Sequence, residues 1–227
     1  MRSEWESNET LKARSALHAA LGEPARLAIV DELMVSDRSP GELVGRLSMP
    51  SNLLAHHLDV LQQAGVVTRS ASAGDGRRRY VRLVRPSPLG TTIEAPASEM
   101  VFLCTHNSAR SQLAAALWRR RTGGRAVSAG TMPADRVHRG AVAAARRVGV
   151  SMHGVEPRRL GALPGGAQVV TVCDLVHEEL AAGPDWWHWS IADPVAEGSA
   201  AAFDAVVREL EARIAAFVPA QRPRRNE

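Results

Sequence analysis

The chain has 227 residues, of which 45% are apolar and 23% charged, and its formal net charge is +4. These proportions are ordinary for a globular protein and speak against disorder throughout, and the length favours two compact units or a single large one, a choice that the motifs decide. Two cysteines are too few for a disulfide scaffold. The sequence has no run of about 18 apolar residues and no apolar export signal, so we expect a cytoplasmic protein without a membrane segment.

The first part of the chain predicts four consecutive helices. Apolar spacing indicates a helix over residues 11–21, and two further helices begin at Pro24 and at Ser39-Pro40. Pro50-Ser51-Asn52 offers caps for a fourth helix, 53–63, which Gly65 closes.

A hairpin signal follows the helices. Two alternating segments, 66–69 and 80–84, bracket Gly74-Asp75-Gly76. Helix, turn, helix and a basic two-stranded ribbon together predict a winged helix-turn-helix (α+β), whose second helix, 51–63, enters a major groove of DNA. Base edges would meet the start of this helix, while arginines of the ribbon loop would contact phosphates. The candidate residues are Ser51, Asn52, Leu54, Ala55 and His56 for bases, and Arg77, Arg78 and Arg79 for phosphates.

Residues 14–84 resemble the ArsR family of repressors. Residues 21–27 (LGEPARL) stand at the family's LGDPTRL position, residues 56–61 (HHLDVL) at its HHLKVL position, and Gly65-Val66-Val67 leads into the wing. The resemblance implies binding of double-stranded operator DNA by a homodimer. The family usually dimerises through its first and last helices, whereas the wing here runs straight into a linker. The resemblance therefore predicts a dimer but does not identify its interface. A winged helix that binds a protein partner and no nucleic acid is the alternative.

Two absences bear on metal or metalloid sensing by this domain. Family members that sense metalloids directly carry a cysteine pair in the helix that begins here at Pro40, and this chain has none. His56 and His57 are adjacent, but no cysteine or carboxylate set stands at ligand spacing around them. We therefore expect neither direct thiolate sensing nor a metal site.

Proline, glycine and small polar residues over 85–98 predict a linker. The predicted organisation is a DNA-binding domain at residues 1–84, the linker at 85–98, a second domain at 99–218 and a basic tail at 219–227.

The second domain opens on a buried-type strand that ends at Cys104 and is followed by a short loop and an amphipathic helix. Backbone N–H groups and the helix dipole at such a junction can hold a tetrahedral oxyanion, and the same field would lower the pKa of Cys104 and make it a nucleophile. Arg110 can clamp two oxygens of the anion. Asn107 and Ser111 would hold the loop and hydrogen-bond the thiolate. The oxyanion-binding candidates are Thr105, His106, Asn107, Ser108, Ala109 and Ser111.

A general acid is needed to protonate the oxygen that a thiolate expels. Asp193, followed by Pro194, stands in a loop after an apolar segment and is the candidate. By spacing alone, an Asp-Pro pair usually marks only a turn.

Three ordered blocks resemble the low-molecular-weight tyrosine phosphatase and arsenate reductase superfamily over residues 99–218. They are the C-x5-R-S loop at 104–111, the segments 128–131 (SAGT) and 135–138 (DRVH), and the stretch from His188-Trp189 to Asp193-Pro194. The resemblance implies an α/β fold with a four-stranded parallel sheet, helices on both faces, and the cysteine loop at the carboxyl edge of the first strand.

Cys173 bears on the choice between reductase and phosphatase. It ends a third buried strand, where reductases of this superfamily keep a second redox cysteine, although a small buried hydrophobe would look the same. No third cysteine follows, so a reductase would need an external thiol, either a small molecule or a redoxin, and no bound cofactor.

Phosphatases of this fold usually line the entrance with aromatic residues. Here the only tyrosine, Tyr80, lies in the other domain, and Trp186, Trp187 and Trp189 could either line the entrance or pack the acid loop. We favour arsenate reduction over phosphatase action on a phosphoester. A catalytically silent loop that senses arsenate or phosphate is the third hypothesis.

Overall fold

The computed structural model describes residues 4–85, 90, 92–96, 98–180 and 182–217, with side chains from Leu11 onward. The chain divides into two units, one formed by residues 1–72 and 76–88 and the other by residues 73–75 and 89–227. The predicted linker, 85–98, is described only in part, and the predicted tail, 219–227, lies outside the described residues.

The first unit contains the four predicted helices, α1 (Glu4–Leu21), α2 (Pro24–Val35), α3 (Pro40–Leu47) and α4 (Ser51–Gln63). Both prolines stand at a helix start, where the missing N–H costs nothing. Ser39 and Glu42 form a reciprocal capping box on α3. The cap predicted for α4 is wrong, because the residue before the helix is Pro50, which has no side-chain acceptor.

The predicted hairpin consists of β1 (Val67–Ala71) and β2 (Arg79–Leu83), which pair in antiparallel fashion. Backbone hydrogen bonds between Arg38 and Val81 in both directions extend this pairing by one bridge. The first unit therefore has the helix–turn–helix and two-stranded ribbon of a winged helix.

Apolar side chains of all four helices and both strands form the core of the first unit. Leu54 belongs to this core with 1% of its surface exposed, whereas its neighbour Leu53 is 43% exposed. The prediction that Leu54 meets a base edge is wrong, because the helix turns that side chain inward. Leu53 stands on the exposed face in its place.

The second unit contains a four-stranded parallel sheet in the order β4-β3-β5-β6. Its strands are β3 (Met100–Cys104), β4 (Ala126–Gly130), β5 (Gln168–Thr171) and β6 (Trp187–His188). All five residues of β3 are buried, and successive side chains of a strand point to opposite faces. Both faces of the sheet are therefore covered at this strand, as expected of parallel sheets.

Three helices of the second unit alternate with its strands, and two more follow β6. They are α5 (Arg110–Thr122), α6 (Arg139–Arg147), α7 (Asp174–Glu179), α8 (Pro194–Glu197) and α9 (Ala200–Ala215). α5 is buried from Arg110 through Trp118 and packs against β3, β4 and α9. Within the described residues, no helix combines the length and the apolar character needed to span a membrane.

We predict different effects of truncating the two adjacent leucines of α4. Leu54→Ala should lower the free energy of unfolding by about 3 kcal/mol, since it leaves a cavity in a close-packed core. Leu53→Ala should change it by no more than about 0.5 kcal/mol, because that side chain is exposed. Hydrogen exchange of the α4 amides in the full-length chain measures both. Equal losses of protection would contradict the assignment of Leu54 to the core.

Candidate functional site

The second unit places a loop between the carboxyl end of its central strand β3 and the first turn of α5. Cys104 is the last residue of β3 and Arg110 the first residue of α5. Cys104 is 3% exposed. A strand–loop–helix junction of this kind turns backbone N–H groups and the positive end of a helix dipole toward one point.

Carbonyl oxygens of the loop are bonded to a neighbouring segment. The oxygens of Thr105, His106 and Ser108 accept hydrogen bonds from backbone N–H groups of residues 132, 134 and 138, at 2.9, 3.0 and 2.8 Å. Because a trans peptide points its C=O and N–H in opposite directions, these bonds turn the following N–H groups toward the inside of the loop. The N–H of Asn107 accordingly donates to Cys104 Sγ at 3.2 Å.

Asn107 holds the loop through its side chain. Its Oδ1 accepts from Gln112 Nε2 at 3.0 Å and from the N–H of Arg158 at 2.8 Å, and its Nδ2 donates to Ser111 Oγ at 2.8 Å. Its φ of +47° is left-handed, a conformation that asparagine tolerates better than most residues. Asn107 was predicted to hold the loop and to hydrogen-bond the thiolate. The side-chain contacts agree with the first role, and the bond to Cys104 Sγ comes from the backbone N–H of Asn107, while its side chain reaches the sulfur through Ser111 Oγ.

Gly130, at the end of β4, lies directly against the loop. A Cβ atom there would stand 2.5 Å from the carbonyl oxygen of Thr105 and 3.0 Å from Asn107 N. No side chain fits without moving the loop backbone. The sequence pattern included Gly130 only as part of the 128–131 block and assigned it no role.

The surroundings of Cys104 differ from the sequence-based expectation in one respect. Burial raises the pKa of the Cys104 thiol, whereas the hydrogen bonds of Ser111 and the charge of Arg110 act to lower it. Ser111 Oγ lies 2.9 Å from Cys104 Sγ. The predicted net lowering of this pKa is therefore wrong: the predicted stabilising groups are in place, but desolvation outweighs them.

Arg110 and Asp193 form an ion pair close to Cys104. Arg110 Nη2 lies 2.8 Å from Asp193 Oδ2, and Nη1 donates to the carbonyl oxygen of Ile191 at 3.1 Å. The Arg110 side chain is 8% exposed and that of Asp193 38%. The structure thus brings together the three residues that the sequence assigned to catalysis. The two bonds use two of the five N–H donors of the guanidinium, so Arg110 has the capacity to bind an anion as well.

Cys173 follows β5, which pairs with β3, and is buried. Its Sγ lies 3.4 Å from Thr105 Oγ1, so it adjoins the cysteine loop. Both cysteines are free thiols. The expected position of Cys173 at the same sheet edge as Cys104 agrees with this contact.

A buried polar cluster stands beside Cys173. Asp174 Oδ1 lies 3.0 Å from His188 Nε2, and His188 Nδ1 lies 2.9 Å from Thr171 Oγ1. The ring of His177 stacks on His188 at 4.2 Å. Burial acts to raise the pKa of Asp174, but the hydrogen bond and charge of His188 hold it below its usual value.

The tryptophans after α7 pack within the unit. Trp189 is 1% exposed and contacts Phe102, while Trp187 stacks on Phe217 at 5.2 Å. Tyr80 is fully buried in the first unit. Of the two roles weighed for Trp187 and Trp189, these contacts favour packing, which here is against Phe217 and Phe102.

The predicted DNA-contact residues of the first unit, other than Leu54, lie on exposed surface. They are Ser51, Asn52, Ala55 and His56 of α4, and Arg77, Arg78 and Arg79 at the hairpin. His57, in contrast, is buried and lies 3.6 Å from Glu23. Among the described residues there is no group of three or more His, Cys, Asp or Glu side chains able to hold a metal ion.

Residues 99–226 match the family model of low molecular weight phosphotyrosine protein phosphatases, and the chain belongs to that family. Solved structures similar to it include the tyrosine phosphatase AmsI of Erwinia amylovora, at 21% identity, and an arsenate reductase of Archaeoglobus fulgidus, at 28%. The alignments cover 54% and 51% of this chain and 92% and 94% of those chains, with TM-scores of 0.47 and 0.44.

The N-terminal part is similar to helix-turn-helix transcriptional regulators of the SmtB/ArsR type. It is 44% identical to the transcriptional repressor SmtB of Mycobacterium tuberculosis over 75 residues. The aligned residues make up 33% of this chain and 53% of the repressor. An uncharacterized regulator of the same organism is 34% identical over 82 residues, or 36% of this chain and 69% of that regulator. The chain spans about half the length of the SmtB repressor.

We predict that Ser111→Ala raises the pKa of Cys104 further, because the hydroxyl that opposes the effect of burial is removed. At neutral pH the thiolate fraction, and with it the rate of alkylation by iodoacetamide, should fall by roughly tenfold for each unit of rise. The pH dependence of alkylation in a Cys173→Ser background measures this, since Cys104 is then the sole cysteine. Ser108→Ala, in the same loop, is the control. An unchanged profile for Ser111→Ala would contradict the role of its hydroxyl.

Proposed function

We propose that the chain is a DNA-binding transcriptional regulator fused to a thiol-dependent arsenate reductase. The observation that carries the enzymatic half is the outward bonding of the loop carbonyls, with Cys104 and Arg110 at the two ends of the loop. This arrangement offers backbone donors and one guanidinium to an oxyanion beside a thiol. Thr105 to Ala109 would supply the backbone contacts, and Ser111 would stabilise the thiolate.

In the proposed first step, the Cys104 thiolate attacks arsenic and forms an S–As bond. One As–O bond breaks, and the leaving oxygen takes a proton from Asp193 and departs as water. Arg110 holds two of the remaining oxygens. Arg110 Nη2 donates to Asp193 Oδ2. Arsenate that takes over this nitrogen would release Oδ2 from the ion pair, so that Oδ2 can carry the proton that the leaving oxygen takes.

Reduction needs a second thiol. Its sulfur attacks Cys104 Sγ, a disulfide forms, and the electron pair of the S–As bond passes to arsenic, which leaves as arsenite. Cys173 is one source of that thiol because its sulfur adjoins Thr105 of the loop. An external small thiol or a redoxin is the other, and in either case an external thiol regenerates the enzyme.

The test compares arsenate, supplied with a small thiol or with a thioredoxin system, and an aryl phosphate as substrates of the full-length chain. We expect arsenite release to be abolished in Cys104→Ser and reduced by roughly 10²- to 10⁴-fold in kcat in Asp193→Asn, as for loss of a general acid. Glu197→Gln, a nearby exposed carboxylate, is the matched control.

The same assay distinguishes the alternatives. Hydrolysis of the aryl phosphate without release of arsenite would contradict the proposed reductase activity. It would support phosphatase activity instead, the activity for which the family is named. No turnover of either substrate, together with oxyanion-dependent DNA affinity, would leave only a sensor. Cys173→Ser separates the two sources of the reducing thiol: activity with a small thiol should survive if Cys173 is dispensable.

For the first unit, we propose that a homodimer binds operator DNA in the cytoplasm. The resemblance to repressors supports this, as do the exposed start of α4 and the three exposed hairpin arginines. A helix in the major groove reads bases, while the hairpin supplies phosphate contacts that carry no sequence information.

We predict that Arg78→Ala weakens binding to promoter DNA and to unrelated DNA alike. The slope of log K against log salt concentration should become shallower by about 0.9 for each phosphate that the variant no longer neutralises. Asn52→Ala should instead weaken specific binding selectively, because a side chain that reads a base is removed. Fluorescence anisotropy at several salt concentrations measures both, and an equal reduction of specificity in the two variants would contradict the division of roles.

A further inference from the structure

The second unit contains an open polar cavity of about 170 Å³ in its surface, and Gln112, which donates to Asn107, lies in its wall. Its three charged lining residues, Arg119, Glu156 and Arg158, are exposed. α5 contributes Gln112 and Arg119 to its wall, β4 contributes Ser128, and the segment after α6 contributes Glu156 and Arg158. No function described above uses this cavity.

The charge around the cavity is unbalanced. Arg119 Nη1 donates to the carbonyl oxygen of Ala126 at 2.7 Å, but no carboxylate in the described part of the chain forms an ion pair with Arg119 or with Arg158. Glu156 contributes one negative charge to the lining against these two positive charges. Partial burial lowers the pKa of Arg119, the direction expected of a cation that loses water without gaining a counter-charge.

We propose that this cavity is a second anion site, separate from the Cys104 loop, and that it binds a small oxyanion of about the size of phosphate or sulfate between Arg119 and Arg158. Guanidinium groups bind tetrahedral oxyanions through paired hydrogen bonds, and the Ser128 hydroxyl adds a neutral donor. The volume is below the roughly 300 Å³ at which pockets for larger organic ligands begin, which favours a small ion.

Two lining residues of this cavity, Gln112 and Arg158, hydrogen-bond to Asn107, which holds the Cys104 loop. Gln112 Nε2 donates both to Asn107 Oδ1 and to the carbonyl oxygen of Glu156, so its two N–H donors are used for structure and not for the anion. The backbone N–H of Arg158 donates to the same Asn107 oxygen. Substitution of the Arg158 side chain leaves that backbone bond intact, which makes Arg158 a suitable position for a test.

The test is a sulfate titration of the full-length chain, followed by backbone amide resonances. Two groups of amides should respond with separate binding curves, those of residues 105–110 in the loop and those of Val127, Ser128 and Val155 at the cavity. In the double variant Arg119→Gln, Arg158→Gln, binding at the cavity should weaken by roughly tenfold or more, because two charged donors are removed. The curve of the loop amides should remain within about twofold, since none of its donors is changed.

Arg120→Gln is the matched control, an exposed arginine of the same helix outside the cavity lining. Ser128→Asp, which adds a negative charge to the wall, provides a second variant should the double variant unfold, and it should abolish the cavity response. Cavity amides that do not respond to sulfate, or that respond equally in wild type and in a folded variant, would overturn the proposal. Failure of the Cys104 chemistry would appear only in turnover and in the loop amides, so the two proposals fail separately.

Discussion

The hydrogen bonds between the loop carbonyls and the segment 132–138 are the constraint on which the second unit's site depends. A backbone loop at the end of a strand can turn either its oxygens or its N–H groups toward a ligand. Three bonds to residues 132, 134 and 138 commit the oxygens to the outside. The proposed binding of an oxyanion beside Cys104, Ser111 and Arg110 depends on this orientation, because carbonyl oxygens that pointed inward would repel the anion.

The supports of this loop come from several elements. Gly130 of β4 permits the loop backbone to approach closely, and Asn107 connects the loop to α5 through Gln112 and to the segment after α6 through Arg158. Cys104 itself is held by Ser111, whose hydroxyl also accepts from Asn107. The amides, the guanidinium and the hydroxyl therefore form one connected network, and a change at one support reaches the sulfur through at most a few hydrogen bonds.

Much of this arrangement could be predicted from the sequence. The spacing of Cys104, Arg110 and Ser111 predicted a loop at a helix start, and Pro24 and Ser39-Pro40 predicted the starts of two helices of the first unit. Alternation predicted the hairpin, and the resemblance carried by the three ordered blocks of residues 99–218 implied the four-stranded parallel sheet. These features depend on local chemistry and on spacing, which a single sequence contains.

The errors arose where the answer depends on the surrounding packing. Leu53 and Leu54 are chemically identical, and only the rotation of α4 against its neighbours decides which of them enters the core. The pKa of Cys104 depends on the depth of its burial as well as on its stabilising partners. Gln112 follows the recognised loop by one residue, but its contact with Asn107 appears only once the loop is folded back onto α5.

The position of Cys173 has a mechanical consequence. α7 begins with the next residue, Asp174, whose carboxylate is bonded to the buried ring of His188. A relay in which Cys173 moves to meet Cys104 would pull on the first turn of this helix and on the histidine cluster behind it. A relay that brings in a thiol from solution would leave both undisturbed. The two proposed routes of electron delivery would thus differ in how much of the protein's interior each proposed catalytic cycle rearranges.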